Sequence, residues 1–169
     1  MRFDLFEKMS AVEAADVLNE FLETGKVYEA ELNLDADYSL STLATKLEEL
    51  TARLTRIPTE EDLNLPEFVR NTEEYKAGLY EFTPEAKRTI IGAAYHFGEC
   101  FVRSYSKLKW GIGNVEYATG NMPVVTGFDN GKELPVLLVL ENLFSRRIEN
   151  PDVHDVFPTA IERWMRNTS

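Results

Sequence analysis

The sequence predicts an α+β fold: N-terminal helices, followed by a small antiparallel sheet with helices packed on it. Two observations indicate this class. Apolar residues recur at helical spacing over most of the first 107 positions, whereas residues 110–135 hold five glycines and two prolines between short apolar runs. The length suits one domain, 1–169. We divide it into an acidic helical part at 1–62 and a central helix plus small sheet at 83–150.

The first helix is predicted over residues 10–24. Ser10 is followed three positions later by Glu13, which is the pattern of a capping box. Gly25 is expected to end this helix, because glycine is the usual residue just past a helix C-terminus. The following stretch, 26–34, allows either a short strand or an extended connector.

A second helix is predicted to begin near Ser39 or Ser41, because leucines then recur at steps of three and four. Beyond it, residues 58–67 read as an acidic loop or turn, and 67–78 as a short helix. The leucines of the predicted apolar side are Leu40, Leu43, Leu47, Leu50 and Leu54.

The longest predicted helix begins with Thr-Pro-Glu at 83–85 and runs to about Lys107. Threonine suits the N-cap, proline the first turn, and glutamate the positive end of the helix dipole. Apolar residues lie almost all round this helix, which predicts a position in the middle of the domain. Gly92 and Gly98 would each cost about 1 kcal/mol in a helix interior. We therefore expect them to allow close approach of another backbone.

The glycine-rich stretch after Trp110 predicts two or three short antiparallel strands. The apolar runs VEYA at 115–118 and PVVTGF at 123–128 are the candidate strands, and Asp-Asn-Gly at 129–131 is a strong turn signal. The Gly-Ile-Gly sequence at 111–113 is interpreted as a turn, since it lacks the third glycine of a dinucleotide-binding loop.

Two helices are predicted to complete the chain. Apolar residues from Val136 to Ile148 keep helical spacing after a proline, although the fully apolar run 136–140 also allows a strand. Residues 157–167 predict a short last helix that carries Ile161 and Trp164 on its apolar side.

The net charge of −11 is distributed unevenly along the chain. Residues 1–85 contain 20 acidic and 8 basic side chains, for a net of −12, whereas residues 86–169 contain 9 and 10, for a net of +1. Such a chain should repel nucleic acids and anionic membranes, and it should attract a basic protein partner. A purely solubilising role for the acidic surface is the alternative. The candidate partner-binding residues are Glu48, Glu49, Glu60, Glu61 and Asp62.

The sequence predicts a cytoplasmic location. No apolar run reaches 18 residues, the first ten residues lack the pattern of a secretory signal, and a single cysteine fits a reducing compartment. We expect neither a cofactor nor a bound metal ion.

Several polar residues lie close together on the predicted long helix. Gly92, His96, Glu99 and Arg103 follow each other at steps of four, three and four, so they are predicted to share a face, with Cys100 beside them. The apolar surroundings would make an isolated charge costly. The favoured interpretation is therefore structural, with Glu99 and Arg103 as a buried ion pair.

Two catalytic interpretations of these residues stay open. His96 and Glu99 can form a metal-dependent or hydrolytic site together with His154, because a catalytic zinc normally has three protein ligands. A pair of Cys100 and His96 can act as nucleophile and base, although the sequence marks neither an oxyanion hole nor an orienting third group.

Three stretches together resemble a widespread group of small bacterial proteins of unknown function. They read LDADYSLSTLATKLEEL, IIGAAYHFGECFVRSYSKLKWGIG and PVVTGFDNGKELPVLLV, and the resemblance covers residues 32–148. The best-marked positions of the group match Tyr95, Gly98, Glu99, Arg103 and Trp110. The resemblance implies an architectural role: Gly98 permits close packing, Glu99 and Arg103 lock each other, and Trp110 covers the helix-to-strand junction. Some small acidic proteins of this kind accompany toxin systems as immunity or accessory proteins.

These observations lead to three functional hypotheses. The first is a non-enzymatic bacterial protein that binds a basic protein through its acidic N-terminal half, with an immunity-type factor as the form that the resemblance implies. The second is a small hydrolase or metal-dependent enzyme that uses Glu99 and His96. The third is an interaction module or homodimer formed through exposed aromatic residues, for which Phe3, Phe6 and Trp164 are the candidates.

Overall fold

The structure is a computed structural model that describes residues 6, 8–60, 66–72, 76 and 79–168. Over these residues, packed helices combine with two small antiparallel sheets of two strands each, which confirms the α+β class. No helix in this part of the chain has the length and apolar character that crossing a bilayer requires.

Helix α1 spans Ala11–Glu31 and begins with the predicted capping box. The Glu13 amide donates to Ser10 Oγ at 3.3 Å, and the Ser10 amide donates to Glu13 Oε2 at 2.8 Å. These two bonds satisfy N–H groups that have no partner within the helix.

The predicted end of α1 at Gly25 is wrong, and so are the strand and the extended connector predicted for 26–34. Gly25 lies within the helix because it packs on Tyr95, where an added Cβ would lie 2.7 Å from the tyrosine Cβ. The helix ends at Glu31, and Asn33 just beyond it adopts a left-handed conformation with φ of 58°. Two amides after the last turn donate back to its carbonyl groups, as in a Schellman motif.

Helix α2 spans Leu40–Thr51 with Ser39 as its N-cap. Its three central leucines are buried and Leu40 is partly buried, as predicted, and Leu54 packs partly buried just beyond the helix end. Strand β1, Arg56–Pro58, was not predicted; it ends at the residue where the predicted loop 58–67 begins, and it pairs antiparallel with β2, Tyr80–Phe82. The short helix α3, Glu67–Arg70, lies between these two strands and begins where predicted.

Helix α4 spans Pro84–Ser104, is capped by Thr83 as predicted, and equals α1 in length. It lies at the centre of the fold, where it packs against α1, α2 and the helix that follows the second sheet. The predicted close approach of another backbone is confirmed at Gly92, where an added Cβ would lie 2.9 Å from the carbonyl carbon of Tyr28. This contact brings α1 directly against α4.

The second sheet pairs β3, Lys109–Ile112, with β4, Pro123–Thr126. The strand predicted for 115–118 is wrong, since these residues form turns, and the turn predicted for 111–113 is wrong, since β3 runs through Ile112. Gly113 follows β3, and the loop packs so closely on it that an added Cβ would lie 1.9 Å from the backbone oxygen of Thr119.

Helix α5 spans Val136–Glu149, so the helix is correct and the alternative strand at 136–140 is wrong. A 3-10 turn at Asp129–Gly131 precedes it, as predicted, and helix α6, Val156–Met165, follows it. The aromatic surface predicted for a homodimer is not exposed as expected. Phe6 is buried against Met122 and Val124, Trp164 is partly buried, and Phe3 lies outside the described residues.

Candidate functional site

The polar residues that were predicted to share one face of α4 point in two directions. His96 faces α1 and α2 and is fully buried, whereas Glu99 faces β3 and Arg103 reaches the surface. The candidate site is therefore two adjoining groups. We call them the buried cluster, formed by Glu29, Tyr38, Lys46, His96 and Cys100, and the Glu99 cluster, formed by Glu99, Arg103 and Trp110.

A carboxylate from α1 completes the buried cluster. Glu29 Oε1 lies 2.7 Å from His96 Nδ1, and each side chain is 1% exposed. Glu29 is held there because it follows Phe21 and Gly25 on the buried side of α1, at the point where Gly92 lets the two helices approach. A carboxylate and an imidazole in this position satisfy each other, so neither is left as an isolated buried polar group.

The second nitrogen of His96 faces an ammonium group. Lys46 Nζ lies 3.4 Å from His96 Nε2, and it also donates to the backbone carbonyls of Leu34 and Asp37. Because an ammonium can only donate, we assign Nε2 as an acceptor and place the ring proton on Nδ1, from which it is donated to Glu29. Both nitrogens of the imidazole are therefore occupied within the fold.

Tyr38 is a half-buried member of the buried cluster, and it connects Glu29 to Arg103. Its hydroxyl donates to Glu29 Oε2 at 3.0 Å, and its ring lies 5.2 Å from that of His96. Burial, followed by the hydrogen bond to Glu29, raises the pKa of Tyr38 above its ordinary value. On the outer side, the Arg103 guanidinium lies 3.6 Å from the centre of the Tyr38 ring, a cation–π arrangement. Both residues line a surface cleft of about 640 Å³ between α1 and the start of α2.

Cys100 has partners that resemble those of a catalytic nucleophile, but it lacks the required exposure. Its Sγ lies 3.6 Å from His96 Nε2, and Glu29 supplies the orienting group that the sequence did not reveal. The thiol is 0% exposed, and burial raises its pKa to about 12. The thiolate is the reactive form, so this arrangement favours an inert, structural cysteine.

The Glu99 cluster forms the predicted junction between α4 and β3. Arg103 Nε donates to Glu99 Oε2 at 2.9 Å, and Trp110 Nε1 donates to Oε1 of the same carboxylate at 2.8 Å. Gly98 provides the space for Trp110, since an added Cβ would lie 2.1 Å from its ring. The prediction of a buried ion pair is wrong in one respect: the Arg103 side chain is 54% exposed, because it lies at the rim of the cleft over Tyr38.

The third ligand proposed for a metal site lies elsewhere. His154 is exposed just before α6, where it lines a groove with Glu48 and Glu49, whereas His96 is buried among other partners. In the part of the chain that the structure describes, no group of three His, Cys, Asp or Glu side chains is arranged to hold a metal ion.

Two of the acidic residues predicted to bind a partner, Glu48 and Glu49, line the groove beside His154. Glu48 is engaged by Arg147 of α5, whose Nη2 lies 2.6 Å from its carboxylate. Glu49 and Glu60 are exposed. The remaining two, Glu61 and Asp62, lie outside the described residues.

A different acidic surface, which the sequence reasoning did not single out, runs along α1. Asp16, Glu20 and Glu23 are exposed on the side of the helix opposite its buried residues, and none of the three has an ion-pair partner among the described residues. Val12 and Val27, at its two ends, are 71% and 55% exposed. We call these five residues the α1 strip. A helical projection of α1 carried to residue 31 would have revealed it.

Comparison with known proteins finds no matching family, no matching curated protein and no matching solved structure.

Proposed function

We propose that this chain is a non-enzymatic protein that binds a basic partner protein through the α1 strip. The observation that carries the proposal is that Asp16, Glu20 and Glu23 lie together on one exposed side of a single helix, without an ion pair among the described residues. Seven other acidic side chains, by contrast, are held in ion pairs with lysine or arginine.

The strip has the properties of a preformed binding surface. The 15 steps from Val12 to Val27 correspond to about 22 Å of helix. The helix is held in place by close packing at Gly25 and Gly92, so a partner would not have to order it. Adjacent carboxylates raise the association rate of a basic protein, and the exposed valines supply apolar contact at both ends.

The buried cluster supports a role without catalysis. Each oxygen of Glu29 and each nitrogen of His96 already has a partner within the fold. The surface cleft beside the cluster is lined by Arg103, Tyr38 and Glu29, and not by His96 or Glu99; the Glu29 side chain is only 1% exposed there. A general base must reach the substrate proton within hydrogen-bond distance, directly or through one water. We therefore assign the cluster to holding α1 against α2 and α4.

Finer parts of the proposal rest on the resemblance and on composition. They are a bacterial origin, a cytoplasmic location and an immunity-type role. In that role, the basic partner is a toxin that this chain neutralises. Nucleic acid is excluded as a partner in the proposal, because the carboxylates of the strip would repel phosphates.

The proposal is tested by affinity capture with matched variants. The tagged chain is incubated at low salt with a lysate of the cells that encode it. Bound proteins are then released with high salt, and the released fraction is analysed by mass spectrometry. The test variant is Asp16→Asn/Glu20→Gln/Glu23→Gln. The control variant, Glu116→Gln/Asp152→Asn/Glu162→Gln, makes the same charge change at exposed acidic residues outside the α1 strip.

We expect one basic protein that the wild type and the control capture and that the strip variant does not. Three exposed ion pairs contribute about 1–3 kcal/mol together, so the strip variant should bind roughly five- to a hundredfold more weakly. Equal capture by all three proteins, or no salt-released partner, would contradict the proposal.

A further inference from the structure

A second surface, formed by α5 and α6, combines an apolar groove with positive charge. The groove lies between α5 and α6 and has a volume of about 350 Å³. Asn142, Asp155 and Thr159 add polar groups, and the Asp155 carboxylate accepts from the Thr159 hydroxyl at 3.4 Å. Its apolar lining is formed by Val139, Leu143, Val156, Ala160 and Trp164.

Two arginines line the groove from opposite walls, Arg146 on α5 and Arg163 on α6. Neither guanidinium has an ion pair or a hydrogen-bond acceptor among the described residues. Two other cations on or beside α5 differ in this respect. Arg147, next to Arg146, is held by Glu48, and Arg56 is held by Glu149 at the end of α5. The lining holds two guanidinium groups and one carboxylate, that of Asp155, so the groove carries a net positive charge in a chain of net charge −11.

We propose that this groove binds an acidic amphipathic helix of a partner protein. The apolar face of that helix lies in the groove, and carboxylates flanking the face pair with Arg146 and Arg163. Two helices that form the walls of an apolar groove are a recurrent docking site for a third, whose side chains at i, i+3, i+4 and i+7 enter it. Guanidinium groups bind carboxylates with two parallel hydrogen bonds, which fixes the position of the incoming helix.

The occupant is a different chain rather than a second copy. The most acidic exposed helix of this protein is α1, and its strip has carboxylates in the middle and valines at the two ends. It therefore lacks the continuous apolar face that the groove requires. The inference is also independent of the α1 strip, because it concerns residues of α5 and α6 alone.

The inference is tested by selection from a displayed library of helical peptides on the immobilised full-length chain. The Arg146→Glu/Arg163→Glu variant serves for counter-selection. Recovered peptides are labelled, and their affinities are measured by fluorescence anisotropy. The matched control is Arg53→Glu/Lys109→Glu, which reverses two exposed cations that lie outside the groove and have no ion pair within the described part of the chain. Arg146→Gln/Arg163→Gln is the milder second variant, and circular dichroism checks that each variant is folded.

We expect the recovered peptides to carry an apolar face flanked by glutamate or aspartate. They should bind the groove variant about tenfold to a hundredfold more weakly and the control as tightly as the wild type. Exchange of their acids for lysine should restore binding to the Glu variant. Recovery of no peptide, of peptides without acids, or of peptides that bind both proteins equally would overturn the inference. Self-association that the groove variant abolishes would also overturn it, since a second copy would then be the occupant.

Discussion

Replacement of Glu29 tests most sharply whether the buried cluster is structural. Glu29→Ala leaves the Nδ1–H of His96 and the hydroxyl of Tyr38 without an acceptor in the protein interior. Each unsatisfied buried donor costs about 1–3 kcal/mol. The loss of a buried partner from such a pair is therefore expected to lower the free energy of unfolding by about 3–5 kcal/mol. That is a large share of the roughly 5–15 kcal/mol that stabilises a typical domain.

The assay is urea unfolding followed by circular dichroism, with the slope compared between variants to establish that the unfolded states are alike. Glu20→Ala, an exposed change on the same helix, is the control and should shift stability by about 0.5 kcal/mol or less. The double variant Glu29→Leu/His96→Leu should cost less than the sum of its single variants, because both buried polar groups are then removed together. A Glu29→Ala variant within about 1 kcal/mol of the wild type would refute the structural role.

Three further predictions follow from the same contacts. Gly92→Ala should destabilise the protein by about 1–3 kcal/mol in thermal or urea unfolding, because the added Cβ would meet the backbone of Tyr28. Alanine favours helices more than glycine does, so an increase in stability would contradict the close approach. Trp110→Phe should cost about 1–2 kcal/mol in the same assay, since Glu99 loses a donor, and an unchanged stability would show that this hydrogen bond contributes nothing. Cys100 should react with Ellman's reagent at pH 8 only after unfolding, because burial raises its pKa to about 12 and excludes the reagent; rapid reaction of the native protein would show an accessible thiolate.

The helices were predictable wherever their signals are local. The capping box of α1, the leucine spacing of α2 and the Thr-Pro-Glu start of α4 act within one or two turns, and all three were confirmed. Gly25 misled the prediction because glycine serves both as a helix stop and as a packing contact. Only the position of Tyr95 on another helix decides between the two. Asn33 was the true stop signal, and it stands eight residues further on.

The candidate site was predictable only in the part that lies on one helix. Glu99 and Arg103 are four residues apart, so their ion pair follows from helix geometry. Glu29 lies 67 positions before His96, and no local pattern links them. Their contact depends on the close packing of α1 and α4 at Gly92, which is a property of the tertiary fold.

The most direct test of the central claim, that the α1 strip binds a basic partner, is an affinity measurement with the purified captured protein. Isothermal titration at about 50 mM and about 300 mM salt would compare the wild type, the Asp16→Asn/Glu20→Gln/Glu23→Gln variant and the Glu116→Gln/Asp152→Asn/Glu162→Gln control. The account predicts that the strip variant alone binds more weakly, and that its affinity depends less on salt. Identical affinities and salt dependences for all three proteins would contradict it.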